Sequence, residues 1–122
     1  MFTLIGLGLG DAKDITVRGL EAVKAADIVF LEAYTSFLIS SNAIELTEFY
    51  GLDSSKQVIV ADRDMVESGV VLDEAATKNV VLLVVGDVFG ATTHSDLIIR
   101  CHESKIPSKV IHNASIINAV GC

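Results

Sequence analysis

The fold is decided by residues 80–97, which read VVLLVVGDVFGATTHSDL. The stretch opens with six consecutive apolar residues and then reaches Gly86 and Asp87. An apolar run of this length, bounded by a glycine, indicates a parallel strand that is buried on both faces. Glycine, carboxylate, hydroxyl and imidazole groups follow, and ligands bind just beyond the carboxyl ends of strands in open α/β sheets. We therefore predict a buried strand followed by a ligand-binding loop.

Two other predicted strands also end in small or polar residues. Residues 2–5 have a strand pattern and run into GLGLGD at 6–11, while HNASI at 112–116 follows a short apolar strand at 109–111. The carboxyl ends of parallel strands meet at one edge of a sheet, so we expect the three segments to lie near one ligand site.

The rest of the chain alternates between strand and helix patterns. Strands are predicted near residues 2–7, 27–31, 57–61, 80–85 and 109–111, and helices near 15–26, 38–50, 64–77, 93–104 and 115–121. This alternation predicts an α/β fold in which a five-stranded parallel sheet is flanked by helices and joined by right-handed crossovers. The length of 122 residues predicts one domain.

Local signals refine two of these helices and a buried face. Asp64 with Glu67, and Thr93 with Asp96, have the spacing of helix-capping pairs. In the first helix, Val17, Leu20 and Val23 recur every three residues and predict one buried face.

Composition excludes several classes of protein. Hydrophobic residues make up 51% of the chain, but no apolar stretch approaches the roughly 18–20 residues that a membrane span needs. The formal net charge is −7 and no basic stripe is present, which argues against direct binding of nucleic acid. No basic residue precedes Lys13, so a secretory signal is not predicted.

The numbers and spacing of the cysteines and histidines bear on disulfides, on the cellular compartment and on metal binding. Two cysteines are too few for a disulfide framework, which predicts a reducing compartment and a cytoplasmic protein. His94, His102 and His112 lack ligand-type spacing, so no metal site is predicted. Asn113-Ala114-Ser115 matches a glycosylation pattern, which has little weight without a secretory signal.

The glycines after the first strand leave two alternatives open. A dinucleotide-binding fingerprint would need glycine at position 11, where the chain has Asp11, and the next helix begins only near Thr16. Glu32 ends the second strand, where a ribose-binding acid could lie, so a Rossmann-type nucleotide-binding domain remains an alternative. The glycines could also simply form a tight turn that needs positive φ angles.

The polar residues after the other strands have a structural and a functional interpretation. Asp87 could accept hydrogen bonds from the hydroxyl or amino groups of a ligand, or it could cap a turn. Ser115 near a helix start is typical of a cap. His94, with Thr92 and Thr93, could line a ligand pocket, or it could be a surface histidine beside a helix cap. Glu32, Tyr34 and Thr35 could face the same cleft.

Five stretches together resemble a known family. They are LIGLGLGDAKDITVRGLEAV at 4–23, LEAYTS at 31–36, VADRDMVE at 60–67, VVGDVFGATTHSDL at 84–97 and VIHNASIINAVGC at 110–122. In order and nearly end to end, they are similar to the N-terminal half of the diphthine synthases, which are S-adenosylmethionine-dependent methyltransferases of the tetrapyrrole-methylase type.

The resemblance implies a methyl-donor site. It places the backbone of Leu9 against S-adenosylmethionine, together with Asp87, Gly90, Ser115 and Ile116. S-adenosylhomocysteine would be the product. No catalytic residue is assigned, because displacement at an activated sulfonium can be accelerated by proximity and orientation alone. The family usually has proline where this chain has Val88, so we expect a slightly looser loop.

The resemblance also implies the acceptor. It would be the modified histidine of translation elongation factor 2 in diphthamide biosynthesis, where an amine is trimethylated and, in eukaryotic members, a carboxylate is esterified. The motifs favour the eukaryotic, methyl-ester variant. The stretches GATTHSDL and IHNASIINAVGC favour this assignment over a methylase that acts on a tetrapyrrole.

The end of the chain carries a prediction about domains. The sequence stops at Val120-Gly121-Cys122 within a helical pattern, whereas members of the family continue into a second domain. We therefore expect residues 1–122 to be the donor-binding N-terminal domain, with the C-terminal domain absent. An apolar face left uncovered predicts self-association, such as a homodimer. This domain alone is expected to bind the donor weakly and to be inactive.

Overall fold

The computed structural model describes residues 1–32, 43–52, 56–89 and 94–115. Its strands are β1 Phe2–Gly6, β2 Ile28–Glu32, β3 Val58–Ala61, β4 Val80–Val84 and β5 Ser108–Ile111. Its helices are α1 Val17–Ala25, α2 Ala43–Phe49, α3 Arg63–Glu67 and α4 Ser95–Glu103, with single 3-10 turns at Ala12–Asp14 and Val70–Leu72. All five predicted strands are confirmed to within one residue at each end.

The strands form one parallel sheet in the order β3-β2-β4-β1-β5, which confirms the predicted fold class. β4 is the central strand, so both of its faces are covered, and this explains why residues 80–84 are all buried and apolar. From β1 the chain proceeds toward one edge through β2 and β3, and from β4 it proceeds toward the other edge, to β5. The direction therefore reverses between β1 and β4, and such a switch point is where α/β sheets bind ligands.

Each face of the sheet has its own apolar cluster. On one face, Val23 of α1 and Leu46 of α2 cluster with Leu31 and Leu83. On the other face, α3 and α4 contribute Val66, Leu97 and Cys101 to a cluster with Phe30 and Leu82. Neighbouring strand residues thus alternate between the faces, as the pleat requires. Among the described residues, no helix is both long and apolar enough to cross a membrane.

The helix predicted over residues 64–77 is present but is much shorter than predicted. α3 ends at Glu67, and Gly69 has a φ of 83°, a left-handed conformation that ends a helix, before a short 3-10 turn. The predicted cap is also displaced, because the carboxylate of Asp62, and not of Asp64, accepts a hydrogen bond from the Met65 backbone N–H at 2.9 Å. At α4 the cap is displaced in the opposite direction, since His94 occupies the N-cap position predicted for Thr93.

The buried face predicted for α1 is only partly correct. Val23 is fully buried, but Val17 is 76% exposed. Each residue advances about 100° around a helix, so Val17 and Val23 lie about 120° apart and cannot share one face. The predicted helices at 38–50 and 115–121 extend outside the described residues, which include only α2 of the first and Ser115 of the second.

Tyr50 provides a test of packing on the α1–α2 face. Its side chain is 1% exposed, and its hydroxyl has no hydrogen-bond partner among the described residues. Burial raises the pKa of this phenol well above its ordinary value. Leaving a buried hydroxyl unsatisfied costs about 1–3 kcal/mol, so we expect Tyr50→Phe to raise the free energy of unfolding by about 1 kcal/mol in a urea titration.

Tyr50→Ala is the matched control, since it removes the ring and should lower the free energy of unfolding by about 3–5 kcal/mol. Loss of more than about 1 kcal/mol in Tyr50→Phe would show that the hydroxyl makes a stabilising hydrogen bond after all.

Candidate functional site

The loops that follow β1 and β4 are joined through two glycines. The Gly86 backbone N–H donates to the Gly8 carbonyl at 2.8 Å, and the Gly8 N–H donates to the Gly86 carbonyl at 3.2 Å. Gly8 has a φ of 78° and Gly86 a φ of 79°, which L side chains rarely adopt. We call this pair the glycine contact. It lies at the switch point of the sheet and confirms that the turn needs positive φ angles.

Space as well as conformation requires glycine in this region. A Cβ atom on Gly6 would lie 2.6 Å from the Gly86 carbonyl oxygen, and one on Gly8 would lie 2.8 Å from the Cβ of Asp14. Both distances are shorter than real contacts of Cβ atoms. The two loops can therefore approach each other only because these positions carry no side chain.

The turn after β1 is closed by two carboxylates. Asp14 accepts hydrogen bonds from the backbone N–H groups of Gly10 at 2.8 Å and Asp11 at 3.2 Å, and Asp11 accepts one from Lys13 at 2.8 Å. The chain makes a 3-10 turn here, and α1 begins only at Val17. No α-helix therefore starts at the glycine turn to meet a pyrophosphate, which argues against the Rossmann-type alternative.

Asp87 connects the loop after β4 to the loop after β5. One carboxylate oxygen, Oδ1, accepts the Asn113 backbone N–H at 3.0 Å and lies 2.9 Å from Nδ1 of His112. The other, Oδ2, accepts the Phe89 backbone N–H at 3.3 Å. Partial burial would raise the pKa of Asp87, but these hydrogen bonds and the nearby imidazole outweigh it and hold the pKa below its ordinary value. The carboxylate is therefore ionised at neutral pH.

Asn113 connects the loops after β5 and β1. Its side-chain amide nitrogen donates to the Gly6 carbonyl at 3.1 Å and to the Asp14 carbonyl at 2.9 Å, and its amide oxygen accepts the Ala114 N–H at 2.7 Å. Sequence reasoning noted Asn113 only as a weak glycosylation pattern and missed this role. The available signal was its position directly beyond a strand end, where an amide can satisfy both carbonyl and N–H groups.

The structure brings together three of the predicted donor-binding positions. Leu9 directly follows Gly8, and Asp87 directly follows Gly86, the two residues of the glycine contact. A Cβ atom on Gly86 would lie 3.6 Å from the Leu9 side chain and 3.7 Å from the Ala114 carbonyl, so Ser115 is one residue from the same place. Gly90, Ile116, Thr92, Thr93, Tyr34 and Thr35 lie outside the described residues.

Val88 and Phe89 differ in their surroundings although they are neighbours. Val88, which stands where the resembled family has proline, is fully buried in the cluster on the α3–α4 face. Phe89 is 40% exposed and meets the His112 ring edge to face, with 5.8 Å between ring centroids. Phe89 and His112 thus form the outer rim of the site beside Asp87.

Glu32 and His94 lie on the other side of β4 and are buried. The His94 Nε2 atom is 3.8 Å from a Glu32 carboxylate oxygen, and their side chains are 2% and 0% exposed. Desolvation lowers the pKa of His94, although the Glu32 carboxylate opposes the shift. The interpretation of His94 as a surface histidine is wrong, and Glu32 is too buried to bind a ribose from the cleft.

Comparison with known proteins identifies the family and the fold of this chain. The model of the tetrapyrrole (corrin/porphyrin) methylases matches residues 1–122, so the chain belongs to this family. A crystal structure of diphthine synthase superposes on the chain with a TM-score of 0.89 and 44% sequence identity, covering 98% of this chain and 46% of that one.

Individual proteins with similar sequences have names that agree with that of the superposed structure. The chain is 57% identical over 122 residues to the diphthine methyl ester synthase of Dictyostelium discoideum, covering 98% of this chain and 43% of that protein. It is 57% identical over 125 residues to the diphthine methyl ester synthase of Homo sapiens, covering 100% of this chain and 42% of that protein. The chain therefore spans less than half the length of the relatives that it matches.

The glycine contact yields a test that separates backbone strain from lack of space. In Gly8→Ala a positive φ is combined with a steric overlap. Gly51 has a similar φ of 69°, but within the described residues a Cβ atom there would meet no atom within 4 Å beyond its chain neighbours. We expect Gly51→Ala to lower the free energy of unfolding by about 1 kcal/mol, and Gly8→Ala to lower it by at least twice as much. The measurement is urea denaturation of both variants, and equal losses would show that close approach of the two loops does not require Gly8.

Proposed function

We propose that this protein is an S-adenosylmethionine-dependent methyltransferase whose donor site lies at the carboxyl ends of β1, β4 and β5. The glycine contact, with Asp87 fixed beside it by the β5 loop, is the observation that carries the proposal. It supplies a backbone surface without side chains next to an ionised carboxylate at the switch point of the sheet. Membership of a methylase family supports the same chemistry.

The described residues fit such a donor. A carboxylate oxygen can accept about two hydrogen bonds, and Asp87 Oδ2 accepts only one from the described residues, which leaves capacity for a ligand hydroxyl or amino group. The backbone at Leu9 and at Ser115 lies beside Gly86 and Asp87. We propose that Leu9, Asp87 and Ser115 hold the donor together with Gly90 and Ile116.

Positioning accounts for the catalysis. S-adenosylmethionine supplies, when bound, a methyl group that is already activated on a sulfonium. What the chain must do is orient the donor, exclude water and present the acceptor in line, and effective molarities from such orientation can be very large. We therefore assign no residue as a general base.

The acceptor that we propose is the modified histidine of translation elongation factor 2, in diphthamide biosynthesis. The matched relatives are diphthine methyl ester synthases, and the two stretches at 90–97 and 111–122 resemble the diphthine synthases in sequence. Esterification of a carboxylate is the variant that the names of these relatives favour. On this proposal, residues 1–122 are the donor-binding N-terminal domain of a cytoplasmic, homodimeric enzyme.

Binding of the product tests the proposed donor site directly. We expect calorimetric titration with S-adenosylhomocysteine to release or absorb measurable heat with a stoichiometry of one, and NADH to give none. Binding of NADH alone would contradict the proposal and support the Rossmann-type alternative.

Asp87 provides a sharper test within the site. Asp87→Asn keeps the shape of the side chain but removes its charge and replaces one acceptor oxygen with an NH2 donor. We therefore expect the Kd for S-adenosylhomocysteine to rise at least tenfold, which is a loss of about 1.4 kcal/mol in binding free energy. The control is Asp27→Asn, since Asp27 also accepts a backbone N–H, from Asn79 at 2.9 Å, but at the amino end of β2. An unchanged Kd in Asp87→Asn, or an equal loss in the control, would contradict the assignment.

The pH dependence has a definite sign. The folded-state pKa of Asp87 lies below its ordinary value of 3.8, so the stabilisation from its carboxylate is present above that value and is lost as pH falls through the lower, folded-state pKa. The difference in free energy of unfolding between the protein and Asp87→Asn should accordingly shrink as the pH is lowered below 3.8, which urea titrations at several pH values would measure.

A further inference from the structure

The buried pair of Glu32 and His94 has no part in the proposed donor contacts. Glu32 and His94 are 1% and 2% exposed, whereas the other buried side chains with polar atoms in the described residues include Thr3 at 7% and Tyr50 at 1%. Taking a carboxylate and an imidazole out of water costs free energy, and a well-packed apolar pair of similar volume is often as stable. Stability alone therefore gives a weak reason for this pair.

The register of the sheet shows where the pair acts. Leu31 of β2 pairs with Leu83 of β4, so Glu32, the last residue of β2, is level with Val84 at the end of β4. Phe30 belongs to the cluster on the α3–α4 face, and alternation along the strand puts Glu32 on that face too. The pair thus sits beneath the start of α4, one strand away from the point where the β4 loop begins.

His94 is an unusual residue at the beginning of a helix. It is the N-cap residue of α4, yet its side chain makes no capping hydrogen bond and is turned inward toward Glu32. Serine, threonine, aspartate or asparagine would cap the helix better. With histidine at this position, α4 lacks a side-chain cap but has a buried, directional contact with Glu32 of β2.

We propose that Glu32 and His94 are positioning residues for the methyl-donor site, because together they fix the start of α4, the helix that shares an apolar cluster with Val88 beside Asp87. This inference rests on the proposed function of that site. On its other side, Asp87 is held by the glycine contact and by its hydrogen bonds to the β5 loop. Val88, the residue after Asp87, lies in the same apolar cluster as Leu97 of α4, so a shift of α4 along the sheet would disturb the packing of Val88 and, through it, the position of Asp87.

A polar pair is suited to this task. An apolar side chain can slide across an apolar surface at little cost, whereas a buried imidazole and carboxylate lose free energy unless they keep a particular separation and orientation. The pair therefore sets the position of α4 relative to β2 more narrowly than leucines would. Small misplacements at a reacting centre can cost about 100-fold in rate, so such precision has a functional value.

The test compares four variants of the protein. Glu32→Leu removes the carboxylate, Glu32→Gln keeps its shape and one acceptor, and Glu32→Leu with His94→Leu removes both polar groups. Thr3→Val is the matched control, since Thr3 is a buried polar residue near the amino end of β1. The measurements are the Kd for S-adenosylhomocysteine, the thermal midpoint and the hydrogen exchange of the Asp87, Val88 and Leu97 amides.

We expect Glu32→Leu to raise the Kd at least tenfold and to speed exchange at these three amides, while Glu32→Gln stays within about threefold of the unaltered protein. The double variant does not leave one charged partner buried opposite an apolar side chain, so its thermal midpoint should lie above that of Glu32→Leu while its Kd stays raised. The Thr3→Val control should change neither Kd nor exchange at these amides.

A double variant that binds S-adenosylhomocysteine as tightly as the unaltered protein would overturn the proposal, and so would unchanged exchange in Glu32→Leu. Failure of the unaltered protein to bind S-adenosylhomocysteine would instead overturn the proposed function. In that event the exchange data still decide whether the pair fixes α4 and the neighbouring Val88, because they need no ligand.

Discussion

The arrangement of this domain depends on one backbone contact, the reciprocal pair of hydrogen bonds between Gly8 and Gly86. It forms where the direction of the chain reverses between β1 and β4, and it requires two positive φ angles and the absence of neighbouring side chains. Because the contact uses backbone atoms only, it leaves a surface that a ligand can approach closely. The polar residues of the site are arranged around it.

Two side chains extend this contact to the third loop. Asn113 joins the β5 loop to the β1 turn, and Asp87 joins the β4 loop to the β5 loop. Each hydrogen bond alone contributes little to stability. Together they hold three loops in one geometry before any ligand arrives, which reduces the cost of ordering the site on binding. A methyl transfer that relies on orientation benefits from this preorganisation.

Local sequence patterns predicted the elements better than their ends. The run from Val80 to Val84 identified the central strand, because only a strand covered on both faces is apolar at every position. The helix after β3 was predicted too long, since Gly69 could belong to a helix or end one, and its left-handed conformation depends on what packs around it. Asp62 and Asp64 could both have capped α3, and the backbone at the strand end selected Asp62.

The sequence by itself determined the parallel α/β fold, the glycine turn, the place of Asp87 and the likeness to the diphthine synthases. These features depend on the local order of residues, because periodicity, glycine spacing and motifs can all be recognised along the chain. Only the tertiary structure decided that Asn113 bonds to Gly6, 107 positions away, and that Glu32 is buried against His94. Such contacts depend on which strands become neighbours and in what register, and the order β3-β2-β4-β1-β5 arises from packing on both faces of the sheet.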